Sequence, residues 1–290
     1  MKSPREPKPS GIISPTAAHR PSKSLGQNFL VDQGAIKRII NALHPVAGET
    51  IIEIGPGRGA LTKSLLESSV RLVAIEFDRN LVPVLSEKFG SNSDFELVRD
   101  DALNVDYCRL IEPASQARVI GNLPYNVGTA IVQRLLDQRQ CLSEVILMLQ
   151  KEVVDRMTAS PGSKDRGFLS VVVEAYATAE RLFDVAPGSF RPAPKVWSSV
   201  VRLLPHRDLS AWVKDEKLFW QLVSAGFAQR RKTILNNLRT APSPLQETIK
   251  AHGGASIILC QAEVGLQRRA ETLSLDEWVR IAKVLMNAMK

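Results

Sequence analysis

The chain has 290 residues, 44% of them hydrophobic and 23% charged, which excludes a single small module and wholesale disorder. No apolar run approaches the roughly 18 residues of a membrane span. The formal net charge of +8 favours polyanionic partners.

From the amino end, 1–24 lacks the apolar centre of a secretory signal. It is rich in Pro and Ser and carries Lys2, Arg5, Lys8, Arg20 and Lys23 against one acid, Glu6. A transit peptide shares that composition, but a flexible basic arm is the expected reading. The cysteines, Cys108, Cys141 and Cys260, are far apart and form no CxxC pair. Neither a metal site nor a disulfide framework is expected, and a reducing compartment fits.

From about Asp32 to Pro205, short Val- and Ile-rich runs alternate with helical segments. Strands are expected at 50–54, 71–77, 95–99, 118–122 and 144–149, with helices at 60–68, 80–89 and 129–138. That alternation predicts a mostly parallel sheet with helices on both faces. Two later strands, 181–185 and 196–204, can form an antiparallel edge. From Asp208 onward strands vanish, and helices are expected at 214–228, 230–239, 245–251 and 274–288. The prolines of Ala241-Pro242-Ser243-Pro244 end one helix. Ser274 and Glu277 form a capping box for the last, with Asp276 favourable against its dipole.

The first strand ends in Glu53-Ile54-Gly55-Pro56-Gly57-Arg58-Gly59-Ala60. Glycines let the backbone turn sharply and approach a ligand, and the following helix start offers free N–H groups. In an open parallel sheet a ligand sits beyond the carboxyl ends of the strands. Glu76 ends the next strand, where an acid can hold ribose hydroxyls. The pattern also fits a nicotinamide dinucleotide. Glu53 tilts away from that, because a carboxylate there repels a pyrophosphate but suits a cationic methionine moiety. Asp101, after the third strand, is positioned to accept from an adenine amino group.

The fourth strand runs into Asn122-Leu123-Pro124-Tyr125, at the same edge of the sheet. An exocyclic amine on a base is a poor nucleophile because its lone pair is delocalised into the ring. The Asn122 side-chain carbonyl, with the backbone carbonyl of Leu123 or Pro124, can accept its hydrogens and turn the lone pair out of conjugation. Pro124 fixes the turn. Tyr125 offers a stacking face. Orientation then supplies most of the rate, without a strong general base. Phe190, in a loop stiffened by Pro192 and Pro194, is a second stacking candidate for a flipped base, although core packing explains it equally well.

These segments resemble the ribosomal RNA adenine N6,N6-dimethyltransferase family, most closely its small-subunit (16S) branch, over nearly the whole chain from Lys23. The resemblance rests on Ser24-Leu25-Gly26-Gln27-Asn28-Phe29-Leu30, Glu53-Ile54-Gly55-Pro56-Gly57, Asn122-Leu123-Pro124-Tyr125, Phe190-Arg191-Pro192-Ala193-Pro194-Lys195-Val196, Ala228-Gln229-Arg230-Arg231-Lys232-Thr233 and Arg269-Ala270-Glu271-Thr272-Leu273-Ser274. It implies a Rossmann-like S-adenosyl-L-methionine methyltransferase domain (25–207) followed by a small all-helical domain (208–290). It implies cofactor contacts at Asn28, Leu30, Gly55, Gly57, Glu76, Asp101 and Asn122. Catalytic roles fall to Asn122, Leu123, Pro124, Tyr125 and Phe190.

The implied reaction is dimethylation of two neighbouring adenines near the 3′ end of small-subunit ribosomal RNA in a pre-30S-type particle, by a cytoplasmic monomer with no membrane partner. Lys195, Arg230, Arg231, Lys232, Arg268 and Arg269 then become phosphate contacts, which position without reading sequence. Where the family usually has an acid after Lys195-Val196, this chain has Trp197. Three alternatives stay open. A large-subunit enzyme of the macrolide-resistance type usually reads Asn-Ile-Pro-Tyr in the catalytic turn. A ribosome-assembly factor with secondary catalysis and a mitochondrial-type transcription factor are the others.

Overall fold

The computed structural model describes residues 27–206 and 213–287. The 1–24 arm and the expected domain boundary at 207/208 lie outside the described residues, as do Ser24, Leu25 and Gly26.

Seven strands form the main sheet: β2 (Thr50–Ile54), β3 (Arg71–Ile75), β4 (Phe95–Val98), β5 (Ala117–Asn122), β6 (Leu142–Gln150), β7 (Ala177–Val185) and β9 (Ser198–Pro205). Their order is β4-β3-β2-β5-β6-β9-β7. The run from β4 to β6 is parallel, and β9 then pairs antiparallel with β6 and with β7. The parallel core and the antiparallel edge both follow from the strand-like runs. Ile51, Ile52, Leu72, Val73, Val119 and Ile120 are fully buried, as a sheet covered on both faces requires.

Helix α1 (Gln33–Leu43) precedes β2, and helices α2 (Ala60–Leu66), α3 (Val82–Phe89), α4 (Tyr107–Leu110) and α5 (Gly128–Asp137) connect the parallel strands. The Asp32 side chain caps α1, accepting from the amides of Gly34 and Ala35. Helices α6 (Lys151–Met157) and α7 (Phe168–Tyr176), like α1 and α4 not anticipated from the sequence, fill the crossover between β6 and β7. A second, two-stranded sheet pairs β1 (Phe29–Leu30) antiparallel with β8 (Phe190–Arg191), placing Leu30 opposite Phe190. Two-residue strands carry no periodicity by which the sequence could mark them.

The carboxyl-terminal region is helical among the described residues: α8 (Glu216–Gly226), α9 (Ile234–Arg239), α10 (Leu245–Ala251), α11 (Ala255–Gln261) and α12 (Leu275–Asn287). The expected capping box forms, with Ser274 N donating to Glu277 Oε2 at 2.8 Å and Glu277 N to Ser274 Oγ at 3.3 Å. Helix α9 starts four residues later than the basic cluster suggested, because Thr233 caps it and accepts from Asn236 N.

One hydrophobic cluster runs from the sheet through α7 into α8, α9, α11 and α12. Arg166 stitches the two regions together. It is almost fully buried, pairs with Glu174 at 2.6 Å and donates to the carbonyls of Leu273 and Ala159.

The cysteine expectation needs correcting. Cys108 and Cys141 are joined by a disulfide, although 33 residues separate them. Cys108 lies on α4 and Cys141 in the turn before β6, which the fold brings to a Cα separation of 5.4 Å. Spacing along the chain carries no trace of that proximity. No described helix is long and apolar enough to cross a membrane.

Candidate active site

The carboxyl ends of β2, β3 and β5 open into a cleft with about 690 Å³ of space not filled by protein atoms, its solvent-open mouth included. The wall facing the sheet is the segment Gln27-Asn28-Phe29-Leu30, held there by pairing of β1 with β8.

The glycine turn after β2 forms the floor. Gly55 and Gly57 adopt φ of 67° and 60°, a left-handed geometry that favours glycine. A Cβ on Gly57 would also meet the Phe29 ring at 3.1 Å. The Arg58 guanidinium lies over the other part of that ring, 4.7 Å from its centroid, and braces the wall against the turn.

Two carboxylates line the cleft from below. Glu53 is 1% exposed and accepts from the Thr62 hydroxyl at 2.6 Å. Burial pushes its carboxyl up to about 7, against the pull of the Thr62 hydrogen bond. Glu76 accepts from the backbone amides of Gly57 at 3.1 Å and Asp78 at 2.8 Å, so it clamps the glycine turn to the end of β3. Burial raises the Glu76 carboxyl as well, with those two amides opposing the rise.

At the end of β5, the Asn122 side-chain amide donates to the Asn28 backbone carbonyl at 3.0 Å. This fixes the amide, leaving its Oδ1 as an acceptor at the cleft. The two backbone acceptors left open by the sequence are separated here. The Pro124 carbonyl is taken by the amides of Val127 and Gly128, whereas among the described residues no hydrogen bond occupies the Leu123 carbonyl. Gly121 makes the approach of β5 to β2 possible, since a Cβ there would lie 2.8 Å from the Ile54 carbonyl oxygen. The Tyr125 hydroxyl is hydrogen-bonded to Ser198 Oγ at 2.7 Å. Burial pushes its phenol above the ordinary value, so it stays protonated at neutral pH.

Asn28, Leu30, Gly55, Gly57, Glu76, Asn122, Leu123, Pro124 and Tyr125 therefore meet in one cleft. Asp101 is not among its lining residues; its carboxylate accepts from Leu103 N at 2.9 Å in the turn after β4. Phe190 is a correction. Its ring is 0% exposed and packs in the same cluster as Leu30, so it offers no open stacking face and instead backs the cleft wall. The chain-terminal cations divide similarly. Arg231, Lys232, Arg269 and Lys195 are exposed. Arg230 is exposed too, although its guanidinium reaches the Lys164 carbonyl. Arg268 is committed to the structure, donating to Glu277 and to Thr272.

The glycine cradle, the buried acids and the fixed Asn122 amide suit a nucleoside carrying a positive charge, such as S-adenosylmethionine. The family model of ribosomal RNA adenine dimethylases matches residues 18–284. The chain belongs to this family. Among its relatives is the ribosomal RNA small subunit methyltransferase A of Pseudomonas aeruginosa, 44% identical over 267 residues that cover 92% of this chain and 95% of the relative. The protein of the same name from Hahella chejuensis is 42% identical, covering 91% and 92%.

Among solved structures, a dimethyladenosine transferase from Plasmodium falciparum superposes with a TM-score of 0.69 at 23% identity, over 87% of this chain and 95% of that one. The 23S rRNA methyltransferase ErmE gives 0.64 at 24% identity, over 89% and 99%. At those identities the two structures establish the fold alone, a Rossmann-like methyltransferase sheet with a helical carboxyl-terminal region.

Residues that sequence reasoning missed are Phe29, Arg58, Leu81 and Thr62. The first three line the cleft, and Thr62 holds Glu53. Only Thr62 left a signal, nine residues after Glu53 and thus on the first turn of the following helix.

Proposed function

We propose that this family member uses S-adenosylmethionine to dimethylate the N6 amines of two adjacent adenines near the 3′ end of small-subunit (16S) rRNA. The substrate is a pre-30S-type particle, and the protein works as a cytoplasmic monomer. The observation that carries the chemistry is the fixed Asn122 amide beside the unoccupied Leu123 carbonyl. The small-subunit assignment is supported by the relatives named above, and by Leu123 where the large-subunit branch usually has Ile.

The cofactor, when bound, supplies a methyl group on a cationic sulfur. Glu53 would lie by its methionine part, and Glu76 would take the ribose hydroxyls. Asp101, in the turn after β4, would take the adenine amine, while Asn28, Leu30, Gly55 and Gly57 would shape the walls. Asn122 Oδ1 and the Leu123 carbonyl accept the two hydrogens of the target amine and turn its lone pair toward the methyl group. Pro124 holds the turn, and Tyr125 stacks on the base. The protonated Tyr125 phenol is no base; the proton leaves an amine already made acidic by alkylation. Arg230, Arg231, Lys232, Arg269 and Lys195 contact phosphates, whereas Arg268 braces the fold that carries Arg269.

The test is to incubate the protein with labelled S-adenosylmethionine and immature small subunits from a strain lacking the modification, then map the label. Two adjacent dimethyladenines are expected near the 3′ end of 16S rRNA. Label elsewhere in the 16S rRNA, or none, overturns the assignment.

A further inference from the structure

Val31, Phe77, Val196 and Trp197 make up most of the exposed large apolar side chains among the described residues. All four flank segments that reach the carboxyl edge of the sheet. Trp197 is the largest of them, with 51% of its surface exposed.

Its backbone is held from both sides. The Trp197 carbonyl accepts from Lys151 N at 2.9 Å, where α6 begins. The next residue, Ser198, is fully buried, pairs with Gln150 and is hydrogen-bonded to Tyr125. On the other side, Pro192 and Pro194 restrict the loop. A large indole on a fixed backbone has had every opportunity to be buried and is left in solvent instead.

Its place in the sheet order gives direction. Reading across the edge, β3 and β2 carry the cofactor groups Glu76 and Gly55, and β5 carries Asn122. Beyond β5 come β6 and then β9, where Trp197 stands. Two strand spacings put the start of β9 about 10 Å past the catalytic turn, on the side away from the cofactor. The loop 186–197 contains Arg191 and Lys195 and no acid, and Lys195 is exposed. That charge favours a polyanion over an apolar protein surface.

We propose that Trp197 is a substrate-binding residue whose indole stacks on an unpaired base flanking the target adenine, with Lys195 at that nucleotide's phosphate. Stacking on an aromatic face tolerates any base, so the contact sets position rather than sequence. The proposal rests on the RNA-methylating reading above and adds the place where the strand leaves the active site.

The test compares full-length wild type with W197A, W197L and W197F on immature small subunits. W197A is expected to raise KM for the subunit about tenfold, leaving kcat and cofactor affinity unchanged. W197F, which keeps a ring, restores KM; W197L, which keeps apolar bulk without a ring, does not. An unchanged KM in W197A overturns the proposal. Full rescue by W197L also overturns it, in favour of packing against a ribosomal protein. Single-stranded poly(A) provides an independent arm, quenching indole emission in wild type and losing that component in W197F. If wild type methylates no subunit, the functional reading fails by itself, and poly(A) quenching still decides Trp197: no Trp197-dependent quenching sinks the stacking role.

Discussion

On the cofactor side of the cleft, the polar groups are buried and already bonded to the protein: Glu53 to Thr62, Glu76 to the amides of Gly57 and Asp78. Lys195, Arg231, Lys232 and Arg269, the proposed RNA contacts, stand instead in solvent, as does half of Trp197. The first arrangement suits a small ligand of constant shape, because the cost of orienting its partners is met in folding. The second suits a large, charged and deformable ligand, whose affinity comes from many weak and salt-sensitive contacts. Asn122 stands at the seam and belongs to both.

The seam should therefore be the most sensitive point. Asn122→Ala is expected to lower turnover by about 100-fold or more, as lost orientation does, with subunit binding retained; near-normal turnover would sink the mechanism. On the cofactor side, Gly57→Ala places a Cβ against Phe29 and a side chain at φ 60°. It should cost roughly 1–2 kcal/mol of stability and weaken cofactor binding, measured by thermal denaturation and calorimetry. Unchanged values would mean that the turn is less constrained than its geometry implies.

Glu53→Gln sharpens the comparison through pH. The folded carboxyl titrates near 7 instead of 4.5. An acid raised in the folded state stabilises fully below its unfolded value and loses that contribution as pH rises through the folded one. Wild type should thus lose stability relative to Glu53→Gln between pH of about 4.5 and 7, while its affinity for the cationic cofactor rises over the upper part of that range. Parallel melting curves across this window would contradict the buried, charged role. The smallest effect belongs to the solvent side. Arg231→Ala should weaken subunit binding modestly at all sites and reduce the salt dependence of log K by about 1, without altering kcat; an unchanged slope removes Arg231 from the interface.

Much of the fold was legible in the chain. The strands β2 to β6 announce themselves as Val- and Ile-rich runs, and α10 and α12 are bounded by local caps and prolines. The helices α6 and α7 were not, because α7 is apolar nearly all round and lies where a strand reads equally well. In the site, the glycine turn and the Asn122 turn were readable because each occupies consecutive residues after a strand. Phe190 was not decidable: a ring in a proline loop can face a base or a core. Pairing with Leu30 put it in the core.

The sequence by itself determined the sheet, the glycine turn of the cleft and the turn proposed to bear the reaction, since those follow from spacing within a few residues. Tertiary structure alone decided which way the Asn122 amide points and that Cys108 meets Cys141. It also decided that Arg268 braces the fold while Arg269 faces solvent. The amide orientation and the disulfide depend on partners brought in by folding: Asn28 lies 94 residues before Asn122, and Cys108 lies 33 before Cys141. Local propensity acts over one turn of chain, whereas hydrogen bonds and disulfides obey distance in space.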